Sequence, residues 1–185
     1  MGVLRGRGRR RSRRNGILRG RYAIVGVGDT PVGKVPQWSK TGLALLAAKR
    51  AVEDAGLDHH EIDGVLTSQM GATFIYSLEI ATLLGIQPRY TTVMELGGAT
   101  SVCMAQQAMM AIEAGFCEAV LCVHAQTQQT GPTRPRHTPP VDRGFDEFDL
   151  PFGHPGATAV HAMAARRHMH EYGTKPEHFG RIALA

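Results

Sequence analysis

The residues best placed to do chemistry fall in one passage, Thr91-Thr92-Val93-Met94-Glu95-Leu96-Gly97-Gly98-Ala99-Thr100-Ser101-Val102-Cys103. A β-branched run reads as a strand and paired glycines break it. An apolar stretch then runs to Gly115, with Glu113 the sole formal charge between Ala99 and Ala114. A helix with so little polar surface is expected to be buried on every side. Its first turn would then point free N–H groups and the positive end of a dipole inward, where a thiolate or an anionic oxygen is stabilised. Gly97 and Gly98 would let a substrate approach the backbone closely, which makes both candidate substrate-binding residues. A glycine turn that only packs a helix onto a sheet leaves the same pattern.

Other chemistry-bearing residues carry weaker signals. Cys103, Cys117 and Cys122 match no zinc spacing and are odd in number, which fits a reducing, cytoplasmic setting. His161, His168 and His170 fall on one helical stretch, but 168 and 170 face different ways, so no shared metal is expected. Gly26-x-Gly28 followed by Gly33 does not complete a dinucleotide fingerprint.

The surrounding elements are those of an α/β protein. Tyr22 to Gly28 is a short apolar strand that ends in glycines. A helical pattern over Thr41 to Ala55 places Leu43, Leu46, Ala47 and Ala51 on one face and stops at Gly56. Ile62 to Thr67 reads as a second strand, Ser77 to Leu84 as a short helix, and Ala119 to His124 as the strand after the apolar helix. Strands alternating with helices imply a mainly parallel sheet covered on both faces. Gly131 to Arg143, with four prolines, reads as an irregular excursion from the sheet.

In this order and spacing the chain resembles the N-terminal half of a thiolase. The resemblance rests on Ala23-Ile24-Val25-Gly26-Val27-Gly28, Ala51-Val52-Glu53-Asp54-Ala55-Gly56-Leu57, Glu61-Ile62-Asp63-Gly64-Val65 and Glu113-Ala114-Gly115-Phe116-Cys117-Glu118-Ala119-Val120-Leu121. The helix Ala164-Ala165-Arg166-Arg167-His168-Met169-His170-Glu171-Tyr172-Gly173 is similar to one in the sterol-carrier or lipid-transfer thiolases. The resemblance implies a mixed, mainly parallel sheet with a buried helix, and a coenzyme A thioester as substrate with no resident cofactor.

Thiolases hold an acyl-accepting cysteine at the start of the buried helix, and Gly98 stands at that place here. Glycine cannot carry an acyl group, so the ping-pong cycle has lost its nucleophile. Cys103 lies more than a turn deeper and reads as a buried structural cysteine. Thr100 and Ser101 have no histidine beside them in sequence. Phe152-Gly153-His154-Pro155-Gly156-Ala157-Thr158-Ala159 looks like the thiolase Gly-His-Pro signature. It comes only 56 residues after Gly98, whereas the family carries that signature in its C-terminal half. His154 is therefore expected as a wall residue of the acyl-CoA pocket, with a plain helix-leading histidine the competing reading.

Residues 1–21 hold nine arginines and no acid, which leaves 12 basic against 16 acidic residues in the body, a net −4, while the whole chain carries +5. Such a segment reads as a disordered tail whose deletion should leave the melting temperature unchanged, and an upstream start codon would account for it. Neither a nucleic-acid motif nor a bilayer-spanning stretch accompanies it. The expected organisation is a tail at 1–21, a thiolase-like core at 22–125 and a truncated loop-region segment at 126–185.

The leading functional expectation is acyl-CoA handling in the acyltransferase style. One alternative is a subunit of a retro-aldol lyase acting on a steroid or other β-hydroxyacyl-CoA, a class of thiolase relatives that works with a small partner protein bearing an oligonucleotide-fold domain. A non-catalytic fragment or scaffold is the third. The resemblance further implies a homodimer joined through the strand Tyr90 to Met94, and catalytic groups located in a C-terminal half.

Overall fold

The computed structural model describes residues 2–6, 20–68, 75–127, 150–153 and 156–185. They form β1 (Gly2–Gly6), β2 (Tyr22–Val27), α1 (Lys40–Asp54), β3 (Gly64–Ser68), α2 (Tyr76–Leu83), β4 (Tyr90–Met94), α3 (Thr100–Glu113), β5 (Ala119–Val123), α4 (Gly156–Tyr172) and α5 (Pro176–Leu184). The chain separates into two compact units, Met1–Thr133 and Arg134–Ala185.

The first unit is built on one five-stranded mixed sheet of order β2-β1-β5-β3-β4. β3 runs parallel to both β4 and β5, whereas β1 is antiparallel to both of its neighbours, β2 and β5. Every residue of β3 and β5 is buried, as expected of strands covered on both faces. Asp63 aligns the amino ends of the parallel strands. Its Oδ1 accepts from the N–H groups of Glu118 (2.8 Å) and Ala119 (3.0 Å), and its carbonyl accepts from those of Arg89 (2.7 Å) and Tyr90 (3.2 Å). This pinning brings the carboxyl ends of β3, β4 and β5 out level with one another.

α1 starts where the Ser39 hydroxyl accepts from Gly42 N–H at 3.0 Å, and its chain leaves through Gly56 at φ +63°. It buries Leu43, Ala44, Ala47, Ala48, Ala51 and Val52. This small-residue face lies almost on the backbone of β2. A Cβ at Gly26 would stand 2.1 Å from the Ala51 carbonyl oxygen, and one at Gly28 2.0 Å from that of Ala47. Gly26-x-Gly28 therefore serves helix–sheet approach.

Two apolar layers result. Val3, Val65, Leu121 and Val123 pack with α1 and α2 on one face, and Leu4, Leu66, Val120 and Cys122 pack with α3 on the other. The alternation of neighbouring residues between the layers follows the period of a strand.

Two expectations are overturned here. The Arg-rich segment is not a dispensable tail throughout, because Gly2–Gly6 forms an interior strand with Val3 fully buried and Leu4 nearly so. The physical reason is that Val3 and Leu4 feed one side chain into each apolar layer, while β2 and β5 together satisfy the backbone on both sides. Arg5 keeps its charge outside, 3.6 Å from Glu61.

α3, expected to be buried all round, is buried only along Thr100, Met104, Ala108 and Ala111. Val102 is 74% exposed and Met110 49%. A sheet covers one face of a helix, and among the described residues nothing covers the other.

In the second unit, α4 and α5 follow Leu150–Phe152, and none of the described side chains of this unit is buried. α4 carries an Arg167–Glu171 pair at 2.7 Å. α5 opens on Pro176 and exposes Phe179, Ile182 and Leu184. No described helix is long and apolar enough to cross a membrane.

Candidate functional site at the carboxyl edge of the parallel strands

In sheets of this kind the strand ends, where the chain turns into the next helix, are where ligands are held. Register places Ser68 of β3 beside Met94 of β4, and Thr67 beside Val123, so Ser68 lies between Met94 and His124. Ser68 Oγ is 2.8 Å from His124 Nδ1. Ser68 is 2% exposed, whereas the imidazole reaches solvent.

β4 leads through Glu95 into the turn Gly97–Ala99 that starts α3. Gly97 has φ +57°, a conformation that glycine adopts without strain. The Thr100 hydroxyl donates to the Gly97 carbonyl at 2.7 Å and accepts from Leu96 N–H at 2.9 Å. Glu95 Oε1 accepts from Gly97 N–H at 3.2 Å. Thr100 is thus committed to holding the turn and is not an activated hydroxyl. A Cβ placed at Gly98 would meet nothing within 4 Å, so this glycine faces open space.

Lys40, in the first turn of α1, lies 4.9 Å from the ring centroid of the buried Tyr76. Burial lowers the Lys40 pKa, and the carboxylates of Glu79 and Glu95 act against that shift. Burial likewise raises the pKa of the Tyr76 phenol. The charge of Glu95, which opens the β4–α3 turn, is thus felt by Lys40, whereas the Ser68–His124 pair sets a group able to move protons at the strand ends themselves.

The expected residues divide as follows. Gly97 and Gly98 sit at this edge; His154 lies outside the described residues. Cys103 is half-buried, not enclosed, because it falls on the flank of α3 between the covered and exposed faces. Cys117 and Cys122 are buried, and burial pushes their thiols up to about 11 and about 12, which keeps them protonated.

Sequence reasoning missed Ser68 and His124. The signal available was a polar residue at the carboxyl end of each of two apolar runs, but which strands are neighbours is not written in either run. The Asp58-His59-His60 cluster, whose ligand-type atoms lie within 4.8 Å of one another, is exposed before the start of β3, at the opposite edge. Its carboxylate is spent on a capping box, accepting from His60 N–H at 2.8 Å.

No family profile matches the chain. A five-stranded mixed sheet clad by helices, entered through a glycine turn ahead of α3, defines a thiolase-like α/β protein, and the chain is homologous to proteins of the thiolase superfamily. It is 34% identical over 175 residues to a steroid side-chain-cleaving aldolase of Thermomonospora curvata, covering 91% of this chain and 44% of that protein. An acetyl-CoA acetyltransferase of Methanothermobacter thermautotrophicus is 28% identical over 171 residues, covering 88% of this chain and 43% of the relative. The solved Ltp2-ChsH2(DUF35) aldolase superimposes with a TM-score of 0.76 at 34% identity, over 87% of this chain and 41% of the matched one. The chain thus spans less than half the length of these relatives, as an N-terminal half would.

Proposed function

We propose that the chain is the thioester-handling part of a retro-aldol lyase acting on a β-hydroxyacyl-CoA. Gly98 carries this reading: at the place where a thiolase holds its acyl-accepting cysteine there is open space and no nucleophile. The identity to an aldolase over nine-tenths of the chain supports it.

Retro-aldol cleavage needs no acyl-enzyme. A base takes the proton of the β-hydroxyl, the Cα–Cβ bond breaks, and N–H donors hold the enolate oxygen of the thioester. The turn at Gly97 and Gly98 is where such an oxygen would approach the backbone. A small partner subunit and a homodimer belong to the same reading; the matched solved structure is itself named for a two-component aldolase.

The test offers the chain 3-hydroxy-3-methylbutyryl-CoA and follows acetone and acetyl-CoA, with intact-mass spectrometry on the protein. The expected result is cleavage with no acyl adduct. A stoichiometric acyl group on Cys103 would return thiolase chemistry to first place, the second reading that the half-buried position of Cys103 keeps open.

A further inference from the structure

We propose that His124, fixed by Ser68, is a proton-transferring catalytic residue of this edge, working on the β-hydroxyl and α-carbon of a CoA thioester; the proposal rests on the lyase reading for the bond that breaks. β3 and β5 are adjacent and parallel, and the Thr67–Val123 pairing sets Ser68 and His124 side by side at their carboxyl ends. Leu66 and Cys122, two residues earlier on each strand, both pack in the α3 layer, so Ser68 and His124 share the face that α3 covers. On the other side of Ser68 lies Met94, three residues before Gly97. The imidazole and the glycine turn therefore flank one strand end on one face of the sheet.

The hydrogen-bond chemistry suits the role. A serine hydroxyl both accepts and donates. Nδ1–H donating to the buried Oγ at 2.8 Å is compatible with a bare Nε2 and with a protonated one. The ring thus keeps its place while a proton comes and goes at Nε2, for which the described residues show no partner. A histidine that merely satisfied a buried serine would meet the same distance, but it would have no reason to share an edge with an open glycine turn.

In the step itself, Nε2 takes the β-hydroxyl proton and the O–H electron pair becomes the new carbonyl bond. The Cα–Cβ pair moves into the thioester as an enolate, and Nε2–H then returns its proton to Cα. A ketone and a shortened acyl-CoA leave, and the imidazole ends as it began.

The return step can be read alone, as deuterium entering the acetyl group of acetyl-CoA when the chain is incubated in D2O. Wild type is expected to catalyse exchange, and H124A to lose at least about a hundredfold in rate. H124N, whose amide N–H can replace Nδ1–H toward Ser68, should be as slow with an unchanged melting temperature. Added imidazole should restore part of the H124A rate, and S68A should lower kcat with little change in KM. Absence of exchange in wild type, or equal exchange in H124N, overturns the proposal. Cleavage of 3-hydroxy-3-methylbutyryl-CoA separates the two claims. His124-dependent exchange without cleavage sinks the lyase reading and the β-hydroxyl step with it but upholds His124 as the group that moves the Cα proton. Cleavage at the wild-type rate in H124N upholds the lyase reading and overturns this proposal.

Discussion

Three polar side chains of the sheet and its turns are explained by what they touch. Thr100 holds a turn, Asp63 pins three strands from the opposite end, and Ser68 holds an imidazole. A side chain at residue 98 would meet open space, and that is testable. G98C should fold with its melting temperature within about 2 °C of wild type, because the added Cβ finds no neighbour. Iodoacetamide should label the new thiol, at the start of α3, faster than Cys103; slower labelling would mean that residue 98 does not face an accessible first turn. The two buried thiols give a pH dependence of definite sign. Cys117 and Cys122 ionise only near about 11 and about 12 when folded, whereas an unfolded thiol ionises near about 8.5. Their contribution is complete below the unfolded value and is lost as pH rises through the folded ones. The melting temperature should therefore fall between pH 9 and 11, and less steeply in C122A, as followed by circular dichroism. A parallel decline in both proteins would remove Cys122 as a cause.

At the scale of elements, β2 to β5 and α1 to α3 were legible because each is a bounded apolar run with its own stop signal, such as Gly56 after α1 or Gly115 after α3. β1 was not. Val3 and Leu4 are two apolar residues in an arginine background, and what makes them a strand is a pair of partners 20 and some 115 residues away. The one-sided burial of α3 was hidden for the opposite reason, since a helix apolar all round gives no clue to which face the sheet takes. The Ser68–His124 pair was hidden because strand order, not strand content, creates it. A direct check on β1 is Val3→Asp, which places a carboxylate in a fully buried position. A buried Val contributes about 1.5–3 kcal/mol, and an unpaired charge adds to the loss. Val3→Asp should lower the melting temperature by roughly 10 °C or more. An unchanged melting curve would mean that residues 2–6 do not belong to the sheet.

Among the described residues of the first unit, the sheet ends in β2 and β4 with no further strand beside either, and β2 leaves Ile24 and Val27 more than half exposed. Open apolar edges favour pairing with another chain. The homodimer implied by the thiolase resemblance would use β4, so sedimentation velocity should show a species of twice the 20.0 kDa chain mass. Thr91→Lys, which puts a charge on an exposed position of β4, should shift it toward monomer. A dimer indifferent to that change would point to β2. Finally, the place of β1 inside the sheet has a bearing on biosynthesis. β1 leaves the ribosome long before β5, the neighbour that buries its far side, because 112 residues separate Gly6 from Ala119. At about 5–20 residues per second, the nascent chain carries Val3 and Leu4 without that neighbour for on the order of ten seconds. For that interval two apolar residues in a cationic stretch stay without the strand that later buries them, which makes the stretch a binding site for holding chaperones.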